Sequence, residues 1–312
     1  IGCLFFSMLL VIIGSTLSLG TALSVTSIPL IIYTTYKIDP RNYLQRFVKL
    51  IFYIALISII LFTIIRLFGF NSFSGIFPHL YTSFYREGQV YSYGGFLYRF
   101  VTLHSDRNCG PFGEPGQYQC VLAVALYFTL FRPLLFKEKE RMLYMIVFFF
   151  ALITTLSTSG YISLSILIFC FLLHSSKATN KRMKKIYIAM IIGTVFFMST
   201  TELGSEFLNT VVFHKIYANG QLDFSLSSGG ARTISISSVL STIYHHPITL
   251  VGVGYDELRN MGVEGCAGFL FLLLAIGIMP FSILFGFCFY QVFKYNKGIW
   301  DIIVRILLVI NM

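Results

Sequence analysis

Charged residues are scarce in this chain. Asp, Glu, Lys and Arg make up 12% of it, where an ordinary soluble domain carries roughly a quarter. Acidic residues are scarcer still, 13 against 23 Lys and Arg. The chain also lacks metal-ligand spacings: its six cysteines, at 3, 109, 120, 170, 266 and 288, form no C-x-x-C, and its six histidines form no H-E-x-x-H, so neither a structural nor a catalytic metal is implied. Most of the cysteines fall in apolar runs and read as small packing residues. Cys109 and Cys266 fall in polar stretches, where a disulfide between them is conceivable. The chain opens at Ile1 without an initiator Met and stops in an apolar run at Met312. It is therefore read as part of a longer protein, and neither a signal peptide nor a full count of spans follows.

What the chain has in abundance is apolar surface. Hydrophobic residues make up 56% and aromatics 17%, with a mean hydropathy of +0.78, which points away from a soluble globule and toward a membrane protein. The expected fold is an all-α polytopic membrane protein forming a single membrane domain over 1–312. Nine apolar segments are expected at 1–15, 17–36, 46–68, 116–136, 142–158, 160–176, 186–203, 265–293 and 299–312, the first and last truncated. The pair 142–158 and 160–176 is joined by a turn around Ser159 and Gly160 and is short enough for a re-entrant hairpin; 265–293 is long enough to tilt, or to kink near Pro280.

The net charge of +10 does not call for nucleic acid, because the cations cluster between apolar runs. The short stretches 37–49, 132–141, 174–187 and 294–298 hold 15 of the 23 Lys and Arg, so they are expected to be cytoplasmic. Two large loops, 69–115 and 204–264, then fall together on the opposite face.

Each loop carries one informative stretch. In the first, RNCGPFGEPGQYQ (107–119) is charged and dense in glycine and proline, and it sits directly before an apolar helix. An arginine and a glutamate at a membrane edge are costly and read as functional, although Glu114 could equally serve as a helix cap that complements the dipole. In the second, 227–255, Gly229 and Gly230 lead into Arg232, then His245, His246 and Pro247, then Gly252-x-Gly254. Arg232 and the histidine pair are 13 and 14 residues apart, about 20 Å along one helix, so they would grip two parts of one extended ligand. Helix-end histidines, a solvated arginine and a tight glycine turn are the plain structural alternatives.

The ordered combination of R-x-x-G-x-F-x-E-P (Arg107, Gly110, Phe112, Glu114, Pro115), T-x-S-x-S-G (Thr155, Ser157, Ser159, Gly160) and G-A-R…H-P…G-x-G resembles the O-antigen polymerase and O-antigen ligase superfamily, the Wzy-type glycan polymerases, over about residues 99–290. The spacing from Arg99 to Gly110 is similar to an arginine-to-glycine spacing in polymerase loops. The resemblance implies a metal-independent, cofactor-free glycosyltransferase in the bacterial cytoplasmic (inner) membrane, multi-pass. Its donors would be polyprenyl-pyrophosphate-linked oligosaccharides, with membrane lipids, a chain-length regulator and a flippase as partners and no nucleic acid. It implies catalytic roles for Arg107, Glu114, Arg232 and His246, and substrate contacts from Arg99, Gly110, Gly113, His245, Gly252 and Gly254. The residue types suit the chemistry: arginine matches phosphate oxygens, and a histidine or glutamate can take the proton of an attacking hydroxyl. His246 is the favoured base, with Glu114 orienting the acceptor. A ligase moving finished glycan, and a non-enzymatic transporter of such lipids, are the alternatives.

Overall fold

The computed structural model describes residues 30–83, 89–94, 97–174, 185, 188–189, 191–193, 196, 200, 217–218, 221–222, 241, 244, 252–254, 257–258, 273–294 and 306. The chain divides into two compact units, one of 1–40 with 190–296, the other of 41–189 with 297–312.

The second unit opens with α1, Tyr43–Phe68, 26 residues without an acidic side chain. One side of it buries Val48, Ile51, Phe52, Ala55, Ser58 and Ile65. Another exposes Leu50, Tyr53, Leu56, Ile60 and Leu67, so apolar residues cover the helix all round, as they do where its surroundings are themselves apolar. Gly69 ends it at φ +81, its N–H donating to the Ile65 carbonyl at 2.9 Å. A short helix, α2 (Phe70–Ile76), leads to three antiparallel strands, β1 (His79–Ser83), β2 (Gln89–Tyr93) and β3 (Tyr98–Val101), in that order across the sheet. Tyr81 pairs with Tyr91, and Tyr91 with Phe100, so alternation puts the rings on one face. That face packs on α1 and α2: Phe70 stacks on Phe100 at 4.1 Å, and Phe73 meets Tyr93 edge-on at 4.9 Å. The other face carries Val90 and Val101, which close over Cys109.

Past a 3₁₀ turn at Thr102–His104 and the loop that follows come three helices: α3 (Pro115–Phe131), α4 (Glu138–Thr154) and α5 (Thr158–His174). Helix α3 is central and packs on α1, α4 and α5. Its Leu122, Ala125 and Leu126 are completely buried. Rings lock the remaining contacts, Phe47 on Phe128 at 6.5 Å and Phe52 on Tyr144 at 4.6 Å.

In the other unit, Tyr217–Ala218 (β4) and Gln221–Leu222 (β5) form a minimal hairpin. Helix α6 runs over Ile278–Lys294. The break in this region falls at Gly277, φ +83, rather than at Pro280. Proline in the first turn of a helix removes an N–H that has no intrahelical partner anyway, so it bends nothing.

The expectation of an all-α polytopic fold with nine crossings does not hold. Strands interrupt the stretch expected as a plain loop at 69–115, because alternating tyrosines such as QVYSY pair as β structure rather than remaining irregular. Among the described residues, α1 is the one helix long and apolar enough to cross a membrane. Helix α3 has 17 residues, about 25 Å at 1.5 Å per residue against a core of roughly 30 Å. Helix α4 begins EKER, and the apolar part of α5 is confined to Ser159–Leu172. The turn between α4 and α5 also lies earlier than expected, with Leu156 at φ +48 and Ser159 and Gly160 already inside α5.

One cation counted among the loop charges has a different place. Arg141 is 4% exposed; its Nε donates to the Thr129 carbonyl at 2.7 Å and a terminal nitrogen to the Leu130 carbonyl at 2.9 Å. It therefore caps the C-terminal carbonyls of α3, where a positive charge also suits the helix dipole. Arg141→Ala removes two charge-assisted bonds and leaves buried carbonyls unpaired, at an expected cost of about 2 kcal/mol. Denaturation of the detergent-solubilised protein measures it, and Arg141→Lys, with no fork to span two carbonyls, should recover less than half.

Candidate functional site

The candidate site is the loop 102–114, and its shape comes from what it is tied to. On one side it continues the sheet: the Arg99 N–H donates to the Gly110 carbonyl at 2.7 Å. On the other it caps α4. The Asn108 N–H donates to the Thr154 carbonyl at 2.9 Å and Arg107 Nε to the Thr155 carbonyl at 3.2 Å, so two carbonyls that a helix end leaves without partners are satisfied from the loop.

Asn108, wholly buried, is the node. Its Nδ2 donates to Thr154 Oγ1 at 3.0 Å and to Ser58 Oγ at 3.3 Å, while its Oδ1 accepts from the Gly110 N–H at 3.0 Å. Ser58 Oγ donates to the Ala55 carbonyl at 2.9 Å and lies 2.7 Å from Tyr118 Oη. A hydroxyl has one proton and two lone pairs. With its proton on Ala55 and one lone pair taken by Asn108, Ser58 accepts from Tyr118, and each group in the node is then satisfied. Gly110 belongs to the same unit: at φ +55 its Cβ would stand within 2.9 Å of the Tyr118 ring, so any side chain there collides with a ring that cannot move. Phe112 stacks on that ring at 5.8 Å. Asn108, Ser58 and Tyr118 were not singled out by the sequence, since nothing in a lone buried Asn or Ser announces its partners.

Around this node lie the ionisable groups. Arg107 is half-buried and Glu114 exposed at the start of α3, where its carbonyl accepts from the Tyr118 N–H at 3.3 Å and its side chain makes no cap bond. Glu114 is thus the N-cap residue through its backbone, without a cap bond from its carboxylate. Gly113 is half-buried beside it. Arg99 projects from β3 on the Val90 side, opposite Ser92; its Nε is buried with no hydrogen-bond partner among the described residues. His104, which the motif reading passed over, ends the 3₁₀ turn, and its carbonyl holds the Arg107 N–H at 2.9 Å. Burial, then the Arg107 guanidinium, push its imidazole below the ordinary histidine range, opposed by Glu114 and Asp106. Burial drives the Cys109 thiol up to about 12, so it stays protonated and is a poor nucleophile; it is a free thiol, and Cys266 lies outside the described residues.

Behind the loop, the T-x-S-x-S-G run lines a buried polar seam between α3 and α5. Ser157 and Ser159 hydroxyls are 3.0 Å apart, Gln119 Nε2 donates to Ser159 Oγ at 3.3 Å, and a Cβ on Gly160 would stand 3.2 Å from that of Gln119. No group of three His, Cys, Asp or Glu side chains placed to hold a metal is found among the described residues.

Arg232, His245 and His246 lie outside the described residues. Gly252 and Gly254 belong to the other unit, where Val253 and Gly254 N–H groups donate to the Leu274 and Ala275 carbonyls at 3.1 and 3.0 Å. A Cβ on Gly252 would overlap the Ala275 backbone, so these glycines permit backbone to approach backbone.

Asn108→Leu should be among the most damaging single substitutions in the loop. It strands the buried Gly110 N–H and two hydroxyls, an expected loss of about 3 kcal/mol, and Gly110→Ala should match it through its clash with Tyr118. Melting of both variants in detergent checks this, with Gly116→Ala, where a Cβ meets open space, as the neutral comparison.

No family of known proteins, no curated protein and no solved structure matches the chain.

Proposed function

We propose that this protein is a glycosyltransferase that joins polyprenyl-pyrophosphate-linked oligosaccharide repeat units into a surface polysaccharide, at the outer face of the bacterial cytoplasmic membrane. The observation that carries the reading is Arg99: a guanidinium nitrogen buried without an acceptor among the described residues, on a strand bonded directly to the loop of Arg107. A charged donor left unsatisfied is expensive, and an anion brought to it returns that cost as binding energy. Pyrophosphate is such an anion, and it is the leaving group when a lipid-linked sugar is transferred. Negative charge grows on its oxygens as the glycosidic carbon departs, so cations held in place beforehand stabilise the transition state more than the ground state.

The membrane setting has its own support. Helix α1 is long and apolar enough to cross, and α4 and α5 expose Leu143, Phe150, Ile162 and Phe169 while Ser58, Asn108, Gln119, Thr129, Thr155, Ser157, Ser159 and Ser163 are buried. Polar residues inside and apolar ones outside suit helices surrounded by lipid.

Deletion in the native host, with the surface glycan resolved by size, tests the activity: long chains should disappear while single repeat units persist. Arg99→Lys and Arg107→Lys at normal protein levels should each lose at least about nine-tenths of the polymer, because a point charge does not reproduce the planar fork. Arg99→Lys is the cleaner of the two, since Arg107 also holds the end of α4. An unchanged glycan ladder on deletion would remove the reading altogether.

A further inference from the structure

The outer edge of the sheet is unlike a strand that faces water. Strand β1 lies outermost in the order β1-β2-β3, and its sequence HLYTS holds no Lys, Arg, Asp or Glu. Neighbouring residues of a strand point to opposite faces, yet Leu80 is 65% exposed and Tyr81 54%. Both sides of the edge are therefore apolar. Phe77, just before the strand, and Leu67 and Phe68, at the end of α1, are exposed as well. An edge in water is ordinarily blunted by charge, because it otherwise pairs with any strand it meets.

The depth of the sheet is set by α1. Tyr93, Tyr98 and Phe100 form one buried cluster with Ile65 and Phe73, and Leu61, Phe62 and Ile64 pack against it. The sheet is thus fixed beside the last two turns of the helix that is long and apolar enough to cross a membrane. That helix has 26 residues, about 39 Å of length against a hydrocarbon core of roughly 30 Å, and Arg66 stands in its last turn. A cation at the end of a span is drawn to the headgroups. The turns that hold the sheet therefore lie where hydrocarbon gives way to headgroups.

We propose that the β1 edge, from Phe77 to Tyr81, is a lipid-contacting surface seated in the interfacial layer of the membrane that α1 crosses. This edge role rests on the membrane setting proposed above and not on glycosyl transfer. Leucine and phenylalanine meet acyl chain there, and tyrosine suits the boundary, with an apolar ring and a polar tip. The hydrocarbon interior does not suit the edge. Among the described residues β1 pairs with β2 alone, and the N–H and carbonyl groups of an open edge need the water and headgroup oxygens that hydrocarbon lacks. The same seating holds the loop 102–114, bonded to β3 through the Arg99 N–H and the Gly110 carbonyl, beside the headgroup layer.

The test places tryptophan at single positions of the full chain, in a Trp300→Phe background that removes the one native tryptophan. Each variant is reconstituted in phospholipid vesicles whose acyl chains carry bromine, a fluorescence quencher, either near the carbonyl end or near the methyl end. Leu80→Trp and Tyr81→Trp, at exposed positions that accept a larger ring, should lose about half of their emission to the shallow bromines and little to the deep ones, as for a surface seated about 5–10 Å into the boundary. Leu56→Trp, exposed midway along α1, should be quenched most by the deep bromines.

If bromine at either depth leaves Leu80→Trp and Tyr81→Trp unchanged while it quenches Leu56→Trp, the edge role is overturned. Cross-linking between copies through Leu80→Cys would then give the edge to a second chain. Deep quenching of both edge variants as strong as that of Leu56→Trp also overturns it, by placing the strand in hydrocarbon. A Leu56→Trp variant that no bromine quenches removes the crossing by α1, and the edge role with it, while glycosyl transfer is still judged by the deletion.

Discussion

The second unit depends on one buried amide. Asn108 joins α1 through Ser58, α4 through Thr154 and its own loop through Gly110, and Ser58 extends the connection to α3 through Tyr118. Four segments are thereby held at fixed spacing, with Ser58 and Thr154 50 and 46 residues from Asn108. The network tolerates no partial version: a buried donor without an acceptor costs more than the same bond gains when made. This all-or-none character is what lets a loop of glycine, proline and charge keep one shape at the end of a helix bundle.

A rigid node makes the neighbouring charges useful. Arg107 cannot swing freely while its Nε serves the Thr155 carbonyl, and Arg99 is committed to a strand whose backbone is bonded to Gly110. Both cations are therefore held before any ligand arrives, and in the proposed glycosyltransferase that is the condition under which electrostatic stabilisation adds to catalysis rather than being consumed in reorganisation. Leu156, a non-glycine residue at φ +48, sits in the same corner. Its left-handed conformation is sterically costly. It is held there by the helix end the loop caps and by the Thr155 and Leu156 N–H groups turning back to Leu152 and Ile153.

Periodicity and composition made the helices legible. The apolar runs at 46–68, 116–136, 142–158 and 160–176 correspond to α1, α3, α4 and α5, because apolar stretches of that length have few other ways to satisfy their backbone. The sheet was not legible as a sheet: QVYSY and YRFV are short, and a strand is stable only against partners that the local sequence does not name. The run R-x-x-G-x-F-x-E-P marked the right loop and placed Arg107, Gly110 and Glu114 in it. It gave no hint of His104, three residues upstream, nor of Arg141, which reads as one more loop cation until a helix end is seen to need it.

By itself, then, the sequence determined an apolar, mainly helical chain and a charged glycine-rich loop before a helix, while the nine crossings read from it reduce, among the described residues, to one helix long and apolar enough to cross a membrane. Those properties follow from local composition and the 3.6-residue repeat. Only the tertiary structure decided which polar groups are buried together, which arginine caps a helix, which keeps a buried Nε with no hydrogen-bond partner among the described residues, and why position 110 is glycine. Each of these depends on contacts that no local pattern carries, Asn108 with Ser58 and Thr154, 50 and 46 positions away, and Gly110 with the Tyr118 ring packed beneath it.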